Sequence, residues 1–241
     1  MSKLLLIRHG QASLFTENYD RLSEHGTHQA ALVGRHWAGN SYVFDRAFSG
    51  TLSRQRGTGE QVAASIRQSG AAFPDIALRD DLNEYEAESV MTGLVPVLRE
   101  RDARINSLVE KFEQARTEAE KYRGIHKLLE SVTAAWIRND YDPAEVPQMQ
   151  RWADFSGRVR DAMADIQRQA AAGSTTAVFT SGGVIAVAVQ SILGAPESVA
   201  GELIWRIYNA SITEFTFTRD RITLDGFNSI GHIPPEARTY R

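Results

Sequence analysis

Leu4-Leu5-Leu6-Ile7-Arg8-His9-Gly10-Gln11 is the stretch that decides the fold. An unbroken apolar run is the pattern of a strand covered on both faces, because alternation disappears when neither face meets water. Polar residues follow at once, so Arg8 and His9 stand at the carboxyl end of that strand. In open α/β sheets ligands bind in the crevice beyond this end. Gly10 permits a sharp turn or a close approach by a ligand. An arginine offers a planar fork matched to phosphate oxygens, and a neutral histidine can act as a nucleophile. The run therefore predicts an α/β chain with a phosphate pocket centred on Arg8 and His9.

Outward from this strand, helical and extended patterns alternate. Ser23 caps a helix that carries Ala30, Leu32, Val33 and Trp37 at helical spacing. Residues 43–49 predict a second strand, 52–66 a helix, and 76–78, after Pro74, a short third strand. Residues 176–179 repeat the buried-strand pattern and lead through Gly182-Gly183 into an apolar helix ending near Ile192. Ile212, Phe215 and Phe217, then Ile222 and Leu224, predict a hairpin turning at Arg219-Asp220-Arg221. Such alternation predicts a mainly parallel central sheet with helices on both faces.

Residues 86–147 differ: rich in Glu, Lys, Arg and Ala, with almost no strand signal, they predict a helical insertion in one domain spanning 1–241. Leu108, Phe112, Ala115, Ala119, Tyr122, Ile125, Leu129, Val132 and Trp136 step by three or four and line one helical face. Gly124 marks a kink or a turn, and Pro143 and Pro147 close the segment. The stripe packs on the main domain or on a second copy of the chain; alternatively it also roofs the site and selects substrates.

Composition excludes several classes. With 27 Lys and Arg against 30 Asp and Glu, the net charge of -3 gives no basic excess for nucleic acid. There is no cysteine, which removes disulfides, thiolate metal sites and a cysteine nucleophile. No apolar stretch approaches the roughly 20 residues that span a bilayer. The first apolar run ends at Arg8, far short of a signal-peptide core. The expected setting is the cytoplasm, with no membrane partner. Gly57-Thr58-Gly59 lacks the next glycine of a nucleotide loop, and no Gly-x-Ser-x-Gly elbow occurs. The acidic run Asp80-Asp81-Leu82-Asn83-Glu84-Tyr85-Glu86 has no clear histidine partner, so neither a metal nor another cofactor is expected.

Three further motifs join Arg8-His9-Gly10: Leu22-Ser23-Glu24-His25-Gly26, Ser49-Gly50-Thr51-Leu52-Ser53-Arg54, and Leu82-Asn83-Glu84. Near the end stand Asn209-Ala210-Ser211-Ile212-Thr213-Glu214 and Asn228-Ser229-Ile230-Gly231-His232-Ile233. In order and spacing these resemble the histidine phosphatase superfamily, also called phosphoglycerate mutase-like, over about residues 3–85 and 150–233. The resemblance implies that His9 is a nucleophile that accepts a phosphoryl group. It implies that Arg8 and Arg54 bind phosphate oxygens and that Glu84 protonates the leaving oxygen, with Glu86 its rival. The second histidine of the family pattern is replaced by Ser181, in Phe179-Thr180-Ser181-Gly182-Gly183. Ser181 would give phosphate one neutral hydrogen bond and no charge. Asn18 is the nearest match to an asparagine that assists phosphate binding in the family. His232 lines the pocket or closes the last strand; His25, His28, His36 and His126 are structural or exposed.

The implied function is a metal-independent phosphomonoester hydrolase working through phospho-His9, on a phosphorylated small molecule or phosphopeptide. A glycolytic mutase fits less well, because Tyr85-Glu86-Ala87 follows the acid where those relatives carry an Arg-His-Tyr-Gly-like run. The alternative, which Ser181 favours, is a weak or inactive member that binds a phosphorylated ligand or a protein partner.

Overall fold

The structure, a computed structural model, describes residues 1–12 and 20–240. Its strands are β1 (Ser2–Arg8), β2 (Arg46–Ser49), β3 (Ile76–Leu78), β4 (Thr175–Thr180), β5 (Ile212–Phe217) and β6 (Ile222–Ser229). They form one sheet in the order β3-β2-β4-β1-β5-β6. β1 pairs in parallel with β4, Ile7 opposite Phe179, and antiparallel with β5, Ile7 opposite Ile212. β4-β2-β3 is parallel and β5-β6 is the expected hairpin. The sheet is therefore mostly parallel, with one antiparallel edge. β2 is shorter than the sequence predicts: Val43 is 75% exposed and only residues from Arg46 onward join the ladder.

Eight helices are described: α1 (Glu24–Gly39), α2 (Ser53–Gln68), α3 (Ala87–Arg101), α4 (Ala103–Glu113), α5 (Glu118–Arg138), α6 (Trp152–Gln169), α7 (Gly182–Ile192) and α8 (Glu197–Ile204). Alternate β1 residues serve opposite faces of the sheet. Leu4 and Leu6 join a core shared with α3 to α8, while Leu5 and Ile7 join one built with α1 and α2. All four are fully buried, each contributing about 1.5–3 kcal/mol, which is why the run carries no alternation. No helix among the described residues is long and apolar enough to cross a membrane.

The middle stretch is helical, and its internal turn lies elsewhere than expected. Gly124 sits inside α5, against Phe112 of α4. The chain turns instead at residues 114–117, where Thr117 and Glu120 form a capping box: Glu120 N donates to Thr117 Oγ1 at 3.2 Å and Thr117 N to Glu120 Oε2 at 3.0 Å. The predicted stripe divides. Val132 and Trp136 enter the core, where Trp136 Nε1 donates to Gln150 O at 2.8 Å. Ala119 is exposed, and Tyr122, Ile125 and Leu129 face a cavity.

Candidate active site

β1, β2, β3 and β4 run the same way, so their carboxyl ends gather at one edge of the sheet. Arg8 and His9 leave β1 there, Arg54 stands in the first turn of α2 after β2, and Glu84 follows β3. Gly182 opens α7 directly after β4. All five line one cavity of about 900 Å³. The sequence motifs are thus assembled by topology, each loop delivering one part.

His9 is almost fully buried, and its Nδ1 lies 2.7 Å from Gly10 O. A carbonyl oxygen only accepts, so Nδ1 carries the proton and the lone pair belongs to Nε2. Arg54 Nε donates to that nitrogen at 3.3 Å. Burial first, and then the charges of Arg54 and Arg8, hold the imidazole pKa well below its usual value, leaving the ring neutral near pH 7. The backbone around it is pinned: Asn209 Nδ2 donates to His9 O at 3.1 Å and Gly10 N to Thr58 Oγ1 at 3.0 Å. A Cβ on Gly10 would lie 2.3 Å from Gly26 O, so this loop and α1 meet only because both positions are glycine.

The arginines are oriented by partners outside the motifs. Arg8 Nη1 donates to Ile207 O. Arg54 Nη1 pairs with Asp20 Oδ1 at 2.6 Å, while Asp20 Oδ2 accepts from Ser53 N at 2.6 Å. Asp20 thereby ties the guanidinium to the start of its own helix.

Glu84 reaches the N-terminus of α7, where Gly183 N donates to Oε2 at 2.9 Å. A Cβ on Gly183 would stand 2.1 Å from Oε1, so the carboxyl occupies the space of the missing side chain. Burial raises the Glu84 pKa, against the opposing pull of Gly183 N–H and of Arg54. A carboxyl with a raised pKa retains its proton closer to neutrality, as a general acid requires. Arg158, from α6, fixes the loop beneath it by donating to Asp80 O at 2.9 Å and Asn83 O at 3.0 Å. Glu86, the rival acid, is exposed at the cavity mouth where α3 begins.

Ser181 is fully buried, and its hydroxyl accepts from Gln55 Nε2 at 2.8 Å. His232 resolves to the structural role: it donates from Nε2 to Ala210 O at 2.9 Å and stacks on His36. His126 departs from expectation by lining the cavity. Asn18 lies outside the described residues. Asp20, Gln55 and Arg158 carry no signal in the sequence, because each acts through a partner distant along the chain.

Comparisons with known proteins bear on the fold and on the family. No curated protein matches the chain significantly. Among solved structures, a phosphoserine phosphatase mutant from Entamoeba histolytica in complex with phosphoserine is 17% identical, with a TM-score of 0.64, covering 97% of this chain and 100% of that one. A phosphoglycerate mutase from Bacillus anthracis is 17% identical, with a TM-score of 0.62 and coverage of 96% and 94%. Bacillus stearothermophilus YhfR is 16% identical, with a TM-score of 0.65 and coverage of 97% and 100%. At these identities the likeness speaks for the fold. The family profile for the histidine phosphatase superfamily (branch 1) matches residues 4–118 and 112–230, which takes in β1, the loops that carry Arg54 and Glu84, and the closing hairpin. The chain therefore belongs to the histidine phosphatase superfamily.

Proposed function

We propose that the chain hydrolyses phosphomonoesters without a metal, through a phosphohistidine at His9. In the first step the Nε2 lone pair attacks phosphorus, the ester P–O bond breaks, and Glu84 gives its proton to the leaving oxygen. In the second step the Glu84 carboxylate takes a proton from water while the water oxygen bonds to phosphorus. The P–N bond breaks and its electron pair returns to Nε2. Arg8 and Arg54 spread the charge on the phosphoryl oxygens, the largest demand of such a transfer. The observation that carries this reading is the held tautomer of His9: Nδ1 is committed to Gly10 O, which leaves Nε2 as the nucleophilic nitrogen.

A second reading, a module that binds phosphorylated ligands with little turnover, draws on Ser181. That residue is buried and bonded to Gln55, and brings no charge. A missing charged donor costs about two to three powers of ten in rate. Turnover of phenyl phosphate separates the two readings. The hydrolase reading expects activity that survives excess EDTA and falls about a thousandfold or more in His9→Ala. Loss on chelation, restored by magnesium or zinc, would overturn the metal-free mechanism. Phosphate that raises the melting temperature without any turnover would select the binding module.

A further inference from the structure

The cavity is much larger than a phosphate group, and its chemistry changes from floor to mouth. Its floor holds the two arginines that line it, Arg8 and Arg54. Its upper wall is mainly apolar and aromatic: Tyr122, Ile125 and Leu129 from α5, with His126 among them, and Ile204 and Trp205 at the end of α8 all line it. At the mouth stand two exposed carboxylates, Glu86 and Glu88, at the start of α3. The fixed positive charges of the lining, Arg8 and Arg54, thus stand where the phosphoryl group binds, and Glu86 and Glu88 where the rest of the ester passes.

From this gradient we infer that the ester's alcohol is a bulky, ring-bearing apolar group with no second anion, selected by the α5–α8 wall and by Glu86 and Glu88. The inference rests on the proposed phosphatase reading and adds the substrate class. A volume of about 900 Å³ lies near the upper end for small-molecule sites, so a phosphate with a small polyol leaves most of the wall unused. Rings suit a wall that combines flat aromatic faces with branched aliphatic side chains. A carboxylate on the alcohol would meet the like charge of Glu86 and Glu88 at the mouth, a repulsion that solvent screens and that is strongest at low salt.

The test uses matched aryl esters: phenyl, 2-naphthyl and 4-carboxyphenyl phosphate. The carboxyl makes its phenol a slightly better leaving group, so a lower rate for that ester reports the site and not the bond. Wild type should prefer 2-naphthyl over phenyl, and phenyl over 4-carboxyphenyl phosphate, each by about tenfold in kcat/KM. Glu86→Gln with Glu88→Gln should bring the carboxylated ester to within about threefold of phenyl phosphate. Tyr122→Ala with Ile125→Ala should abolish the naphthyl preference. A wild type that prefers the carboxylated ester, or is indifferent to ring size, overturns the inference. If no ester turns over, calorimetric binding of phenyl-, 2-naphthyl- and 4-carboxyphenylphosphonate decides the matter. The same order of affinities would uphold the site's selectivity while the hydrolase reading falls, and equal affinities would remove the selectivity as well.

Discussion

Gly183→Ala separates folding from chemistry at the acid. The new methyl would fall 2.1 Å from Glu84 Oε1 and 3.2 Å from Tyr85 Cδ1. The obstructing atom is the tip of a flexible side chain, so the carboxyl moves and the helix does not. Restoring ordinary contact takes a shift of about 1 Å, enough to cost roughly a hundredfold in a positioned reaction. The shift also breaks the 2.9 Å bond from Gly183 N, one of the contacts that lower the Glu84 pKa. A hydrogen bond to a charged group is worth about 1.5–3 kcal/mol, so without it the acid should hold its proton to higher pH. Gly183 has no positive φ, so the helix backbone itself accepts alanine with a gain of about 0.4–1 kcal/mol, which the lost hydrogen bond and the close approach to Tyr85 outweigh. The assay is single-turnover hydrolysis of phenyl phosphate and of an alkyl phosphate, with melting temperatures alongside. The alkyl ester, whose leaving oxygen needs the proton more, should lose about a hundredfold, the phenyl ester less. Activity should also extend to higher pH, with a melting temperature modestly below wild type. A folded variant that hydrolyses both esters within about threefold of wild type would refute the acid's placement.

Two further outcomes follow from buried polar groups. Ser181→His inserts a ring beside Gln55, at a position with no exposure, and should cost about 1–3 kcal/mol by overpacking. Only with Gln55→Ala added should single-turnover rates rise, by about tenfold, and a gain in the single variant would show that the pocket already has room. Stability should also fall with acid. Burial holds His232 at a pKa of about 4 and His9 well below its usual value, both under the unfolded value of roughly 6.5. The unfolded chain therefore binds more protons between those limits. The stabilisation is complete above about pH 6.5 and is lost as pH falls toward 4, with at most about 3 kcal/mol from His232. Melting temperatures across that range should decline, and less steeply in His232→Asn; an unchanged slope would mean that other groups carry it.

The sheet is legible where burial erases alternation. The β1 and β4 runs, the cap at Ser23 and the alternating hairpin all report local chemistry that survives in one dimension. The same holds for His9, Arg8, Arg54 and Glu84, which stand beside strand ends in the sequence and converge because parallel strands end together. What is not legible depends on contacts across the chain. Arg158 reaches Asn83 over 75 positions, and Gln55 reaches Ser181 over 126, with no local pattern to announce either. α6 is readable in principle from Trp152, Phe155, Val159, Met163 and Ile166, which share one helical face and are all buried. The nine-residue stripe could not be divided in advance, since core and cavity both favour apolar side chains. His126 shares the cavity side of α5 with Tyr122 and Leu129, four and three positions away, and polarity alone hid it.

Trapping the intermediate tests the central claim most directly. Enzyme quenched in base within milliseconds of meeting phenyl phosphate should carry one phosphoryl group, stable in base and lost in acid, absent from His9→Ala. Because Nδ1 is held by Gly10 O at 2.7 Å, the phosphorus should be found on Nε2 of His9. Phosphate on Nδ1, on another residue, or in an acid-stable linkage would contradict a phosphohistidine mechanism at His9 Nε2.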